Sequence, residues 1–374
     1  MRPVLPSLVL VVAVLVATVP HPAFAHLDAT VGRLAFASSL GQPDAFGFDL
    51  YTVATDGTDL TRLTRFGEEG MLAQHPTWSP DGNRIAFGAR DLSRAGLGIH
   101  LMDADGANLL QLTDAGDCNH FDFFAFHGPD WSPDGNHIAF AADLNRSCGE
   151  PDLYLADASG EDIAQLTSLA EQGHSSWMPD WAPDGTRLVF VSGPGGGIGD
   201  CYVVSASGGE PMRFGEPGCQ FPAWSPDGTM IATISRDGLC LVPVDEGKRT
   251  CPMSPTGGMP SGMLWNHAWS PDGTKILFEM LEMPEGGVGE SPPSAVYVLD
   301  VATGKLTRID THVAFAVAPV WSADGSHIAF VARLDDQPGT DLYIAAPDGG
   351  DLVRVTTVGD DGAFVADPAW DPAG

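Results

Sequence analysis

Residues 75–87 read HPTWSPDGNRIAF. The centre, Trp-Ser-Pro-Asp-Gly, separates two short apolar stretches, and the chain returns to it again and again. Trp131 opens WSPDGNHIAF, Trp181 WAPDGTRLVF, Trp224 WSPDGTMIAT, Trp269 WSPDGTKILF and Trp321 WSADGSHIAF, and Trp370 opens WDPAG at the end of the sequence. Successive tryptophans, beginning with Trp78, lie 43–53 residues apart. A period of this size belongs to repeat architectures, in which each copy is one supersecondary unit. A catalytic loop is needed once, so the recurring motif reads as structural.

The motif is a turn between strands. Pro presets φ, Asp bonds its own backbone two residues on, and Gly accepts positive φ. The following RIAF, HIAF, RLVF and KILF alternate polar and apolar residues with strand-favouring side chains. A second hairpin comes next in each copy: DLYTVATDGTDLTRLT from Asp49 to Thr64, GIHLMDADGANLLQLT to Thr113, DLYLADASGEDIAQLT to Thr167 and DLYIAAPDGGDLVRVT to Thr356. Four antiparallel strands, a to d, per copy match a propeller blade. Strand b recurs at Leu34, Ile85, Ile138, Leu188, Ile231, Ile276 and Ile328. The first copy lacks a Trp-bearing strand a, and the last copy, at Trp370, is a strand a alone. The expectation is therefore an all-β, seven-bladed β-propeller in which the C-terminal strand completes the first blade and removes an open edge.

The repeat W-S-P-D-G…I-A-F…D-L-Y…D-G…L-T resembles that of the TolB-type, WD-repeat-like β-propeller family, over nearly all of the chain after residue 25. The resemblance implies the propeller fold. It implies much less about activity, since propellers host binding proteins and enzymes alike. In the family's namesake an α/β domain precedes the propeller. Here the first strand is expected from Val31, which leaves no room for such a domain.

Residues 1–25 read as a signal peptide: Arg2, an apolar stretch from Leu8 to Val19, and an Ala23–Ala25 cleavage motif. Residues 26–374 then form the single propeller domain, exported to the periplasm or the medium. No second stretch is apolar and long enough to span a membrane. Six cysteines in an exported chain suggest disulfides. Fifteen pairings are open to six cysteines. Blade geometry favours Cys118–Cys148, Cys201–Cys219 with Cys219 in a loop, and Cys240–Cys251 across one c–d hairpin. The formal charge is −31, from 49 acidic residues against 18 Lys plus Arg. This disfavours nucleic acid and anionic lipid as partners. It fits a soluble monomer whose partner is a protein or small ligand.

Function is expected on the face with variable loops, where the innermost strands converge. Residues just before each Trp would ring the channel mouth: His75, His127, Gln220, Trp265, Asn266, His267 and Asp367. Such a polar, histidine-rich ring suits a small ligand or, as a minor alternative, Ca²⁺ or a transition metal. No catalytic residue stands out. GHSSW at Gly173 lacks the final Gly of a nucleophile elbow. GPGGGIG at Gly193 lies between strands, so it lacks the helix of a phosphate loop. The leading expectation is a non-enzymatic binding or scaffold module without a cofactor. The alternative is a lyase or hydrolase that uses the mouth histidines.

Overall fold

The computed structural model describes residues 32–42, 47–91, 97–113, 128–144, 150–194, 199–245, 248–253, 262–282, 294–309, 313–334 and 337–373. Among them the fold is all-β, with only short 3-10 turns besides strands. The Trp-Ser-Pro-Asp-Gly element sets the first turn of each unit. The Ser79 hydroxyl donates to Asp81 at 2.6 Å and accepts from the Arg84 amide at 3.0 Å. The Asn83 amide donates to Asp81 at 3.1 Å, and Gly82 sits at φ 68°. The same bonds recur at Ser132–Asp134, Ser225–Asp227, Ser270–Asp272 and Ser322–Asp324. Donation from Ser132 and Asn136 holds the Asp134 carboxyl down to about 2. These acids are committed to backbone geometry.

The second hairpin has its own lock, formed by the Asp of DLY and the Thr of LT. Buried Asp49 accepts from the Thr64 hydroxyl at 2.9 Å and the Gly67 amide at 3.2 Å. Asp152 accepts from Thr167 and the Leu169 amide, and Asp341 from Thr356 and the Gly359 amide. Arg62 and Arg354 pair with Asp49 and Asp341. A buried carboxylate must be paired or hydrogen-bonded to be tolerated; all three are hydrogen-bonded, and Asp49 and Asp341 are also paired.

The strands form antiparallel meanders. Five sheets have four strands, as in Met71–Trp78, Arg84–Asp91, Leu97–Asp103 and Leu110–Gln111. A sixth has seven strands and divides at Met212–Trp224. This long strand pairs with Gly199–Ser205 as the last strand of one meander and with Met230–Ser235 as the first of the next. Cys219 therefore lies within a strand, not in a loop as the sequence suggests, because no loop separates the two meanders there. In one sheet, Val365–Trp370 from the end of the chain pairs with Arg33–Ser38, placing Trp370 opposite Leu34.

The core lies between successive sheets. Ile99 and Leu101 of one meander pack with Trp131, Ile138 and Phe140 of the next, and Leu342 and Ile344 pack with Leu34, Phe36 and Trp370. The tryptophans also tie neighbours together by hydrogen bonds. The indole N–H of Trp78 donates to the Ala369 carbonyl at 3.1 Å, Trp131 to Thr77, Trp181 to Asp130, Trp269 to Ala223 and Trp321 to Ala268. Each bond runs from one meander to the strand beside it. The period of the sequence is thus the period of the inter-sheet contact. Cys201 pairs with Cys219, and Cys240 with Cys251. Cys118 and Cys148 lie outside the described residues.

Candidate functional site

Among the described residues, the first strands of neighbouring meanders touch one another, and Val365–Trp370 touches Met71–Trp78. Each carries x-Pro-x-Trp: HPTW, GPDW, MPDW, FPAW, APVW and DPAW, with NHAW as the exception. Three residues before the Trp, His75, Met178, Phe221, Asn266, Ala318 and Asp367 all have φ between 42° and 57°. The register slips at that point in each of these strands, between Gln74 and Thr77 in the first of them. A bulge of this kind bends the strand and re-aims a side chain. Positive φ at a non-Gly residue costs on the order of 1–3 kcal/mol. Gly128 holds the seventh position, and a Cβ there would come within 2.6 Å of His75.

These bulges line one cavity of about 370 Å³. Its wall holds His75, Gly128, Met178, Phe221, Asn266, Ala318 and Asp367, with the six prolines and His267 that follow them. Asp180 lines it one step further along. Of the residues expected at the mouth, His75, Asn266, His267 and Asp367 meet here. Gln220 and Trp265 do not line it. Both precede the bulge and remain paired with the second strand, opposite Ile234 and Glu279. Trp265 instead packs edge-on against Phe221, ring centroids 5.7 Å apart. His127 lies outside the described residues, as do most of the long variable loops.

Carboxylates hold the wall together. Asp367 accepts from the His75 amide at 3.1 Å, and its Oδ2 lies 3.4 Å from His75 Nδ1. Glu279 accepts from Asn266 Nδ2 at 3.2 Å, the Ala318 amide at 3.1 Å and the Ser294 hydroxyl at 3.1 Å. Burial nevertheless raises its carboxyl above the ordinary range. Asp130 accepts from the Trp181 amide at 3.1 Å, and Asp180 from the Trp224 amide at 2.7 Å. Burial raises both carboxyls, and their mutual repulsion raises Asp180 further. His267 is lowered to about 4 by burial, which a backbone group of Ala232 only partly offsets. Both of its ring nitrogens are closed off from solvent. Met178 and Phe221, which the sequence also places just before a repeat Trp, line the cavity, whereas sequence reasoning singled out neither Asp130 nor Asp180. The signal was present in the x-Pro-x-Trp spacing, in which both aspartates stand directly before the Trp.

Among the described residues no group of three His, Cys, Asp or Glu side chains is placed to hold a metal ion. No helix among them is long and apolar enough to cross a membrane.

The sequence profile described as TolB beta propeller domain matches residues 123–250. The Tol-Pal system protein TolB of Alcanivorax borkumensis is 36% identical over 98 residues, which are 26% of this chain and 20% of that protein. The chain thus matches about a fifth of that relative's length. The crystal structure of TolB from Acinetobacter baumannii superposes with a TM-score of 0.51 at 20% identity, over 91% of this chain and 66% of that one. An oligogalacturonate lyase in complex with manganese gives 0.57 at 16% identity, over 87% and 85%. At these identities the structural likeness is one of fold. Taken with the repeated Trp-Ser-Pro-Asp-Gly meanders, these matches show that residues 123–250 are similar to the TolB beta propeller domain.

Proposed function

We propose that residues 26–374 form one seven-bladed propeller, closed by Val365–Trp370 on Arg33–Ser38, that serves as an exported, monomeric binding or scaffold module. Its ligand, a protein segment or small molecule, enters the central cavity at the face that carries His75, Asn266, His267 and Asp367. One observation carries this reading. The backbone repeats at the bulge, while the side chain it presents changes from unit to unit: His, Gly, Met, Phe, Asn, Ala, Asp. A uniform scaffold presenting different groups to one cavity is how a recognition surface is built. The reading of residues 1–25 as a signal peptide supports export.

The test is capture from the exported fraction. Ala318→Trp fills the cavity from one wall, and it should abolish capture of any partner held by the unmodified protein. Capture unchanged by that substitution would place binding elsewhere on the molecule.

The His75–Asp367 pair favours a second reading, a lyase or hydrolase, because a carboxylate beside an imidazole can orient it as a base. Metal analysis separates the two. A stoichiometric transition metal, lost when His75 and His267 are both replaced by Ala, would favour the enzyme.

A further inference from the structure

Two disulfides stand in consecutive meanders, and solvent reaches them unequally. Cys201, Cys219 and Cys240 are buried, whereas Cys251 is partly exposed. Cys251 lies in Thr250–Met253, the outermost strand of its sheet. That strand is short, and its pairing with Gly238–Pro243 is broken by an irregularity between Leu239 and Leu241. Thiol–disulfide exchange begins when a thiolate reaches one sulfur of a bridge, so access decides which bridge reacts. Cys240, the sulfur displaced by attack on Cys251, has the Ser235 hydroxyl 3.2 Å away. A bridged sulfur has no proton to give, so the hydroxyl donates, and it is placed to stabilise a thiolate there.

The buried bridge has a guard. Cys201 and Cys219 line a cleft of about 10 Å³ together with Glu216, Ser235 and Arg249. That is room for about one water, and too little for a thiol reagent. Arg249 pairs with Glu216 at 3.1 Å and with Asp237 at 2.6 Å. Both acids are exposed, and exposed ion pairs contribute little by themselves. What holds Arg249 at the cleft is the strand that starts at the next residue, and that strand carries Cys251.

We propose that the two bridges form a sequential redox switch, in which a dithiol reductant opens Cys240–Cys251 first and the release of Arg249 then uncovers Cys201–Cys219. In the first step a thiolate of the reductant attacks the Cys251 sulfur. The bond between the two cysteines breaks, Cys240 leaves as a thiolate, and a mixed disulfide forms. The second thiolate of the reductant attacks its own sulfur in that mixed disulfide and displaces Cys251. Two electrons pass to the bridge, the two protons of the dithiol end on Cys240 and Cys251, and the dithiol becomes a disulfide. The same exchange then opens the inner bridge. Each bridge ties neighbouring strands together, so the switch couples the integrity of these meanders to the thiol–disulfide balance around the protein.

The experiment treats the oxidised full chain with dithiothreitol, traps thiols with N-ethylmaleimide at successive times and maps the labelled peptides. Labels should appear on Cys240 and Cys251 about tenfold faster than on Cys201 and Cys219, which should follow after a lag. Arg249→Ala should shorten the lag and speed the inner bridge by about tenfold, while the outer rate stays within about twofold. Cys240→Ser combined with Cys251→Ser imitates the opened outer bridge, so the inner bridge should then react without a lag.

Labels that reach Cys201 and Cys219 first, or all four cysteines together, would overturn the order. An inner rate unchanged by Arg249→Ala would overturn the guard. If the double-serine chain shows no folded melting transition, the lag in the unmodified chain and the rate in Arg249→Ala decide without it.

Discussion

The indole N–H of Trp321 reaches the Ala268 carbonyl at 3.1 Å, while the same atom of Trp370 is buried without a partner. Substituting each by Phe removes similar ring volume but only one hydrogen bond. Trp321→Phe should therefore cost about 0.5–1.5 kcal/mol more than Trp370→Phe in chemical unfolding. Equal losses would mean that the indole bonds contribute nothing to stability. A second residue-scale outcome concerns Asp130, whose carboxyl is raised to about 7 by burial, against about 3.9 in the unfolded chain. Its sign is the reverse of a paired acid. Below the unfolded value both states hold the proton and there is no effect. Between the two values the folded state must keep a proton that the unfolded chain gives up, so stability falls until pH passes about 7. Asp130→Asn, which retains an acceptor for the Trp181 amide, should be neutral near pH 3. At pH 8 it should stabilise on the order of 2–4 kcal/mol. A stability difference that does not change with pH would refute the raised carboxyl.

The strand Val365–Trp370 pairs its residues with Arg33–Ser38 and donates the Asp371 amide to the Arg33 carbonyl. Arg33 also pairs with the Asp371 carboxylate at 3.1 Å. Deleting residues 365–374 uncovers an apolar strand whose Leu34 and Phe36 are fully buried. An exposed edge of this kind templates aggregation. Soluble yield should fall sharply, and a truncated chain with an unchanged melting temperature would show that the strand is dispensable. The hairpin Gly238–Pro243 and Thr250–Met253 holds the Cys240–Cys251 bridge. Replacing both cysteines by Ala should lower stability by roughly 2–4 kcal/mol. Peptide mapping without reductant should recover both this bridge and Cys201–Cys219, and free thiols at these four positions would refute the pairing.

At the scale of the whole molecule, strain and charge converge on one place. Six non-glycine residues with positive φ, the Asp130–Asp180 pair, Glu279 and a histidine with buried ring nitrogens all stand at or beside the same cavity. Outside it, the acidic residues of the turns and of the DLY positions are satisfied by hydroxyls, amides and arginines. Stability is spread over contacts between neighbouring meanders. On the proposed reading, binding belongs where their first strands meet, so a substitution such as Ala318→Trp should alter recognition with little effect on the sheets.

The chemistry of each unit was legible residue by residue. Pro-Asp-Gly requires one turn geometry, alternating apolar residues require strands, and the Trp spacing reveals the repeat. The lone Trp370 at the end and the missing strand a at the start pointed to the pairing of Leu34 with Trp370. Local backbone preference determines all of these within a few residues, or through a count of copies. The cavity was only half legible. His75, Asn266, His267 and Asp367 were found by their place before Trp, but Gln220 and Trp265 were misplaced, because the bulge that turns the next residue inward is a feature of strand pairing. The approach of Asp180 to Asp130, the closing-off of the His267 nitrogens from solvent and the burial that raises or lowers their affinity for protons depend on residues tens of positions apart. Those depend on how neighbouring sheets pack, and only the tertiary structure decides that.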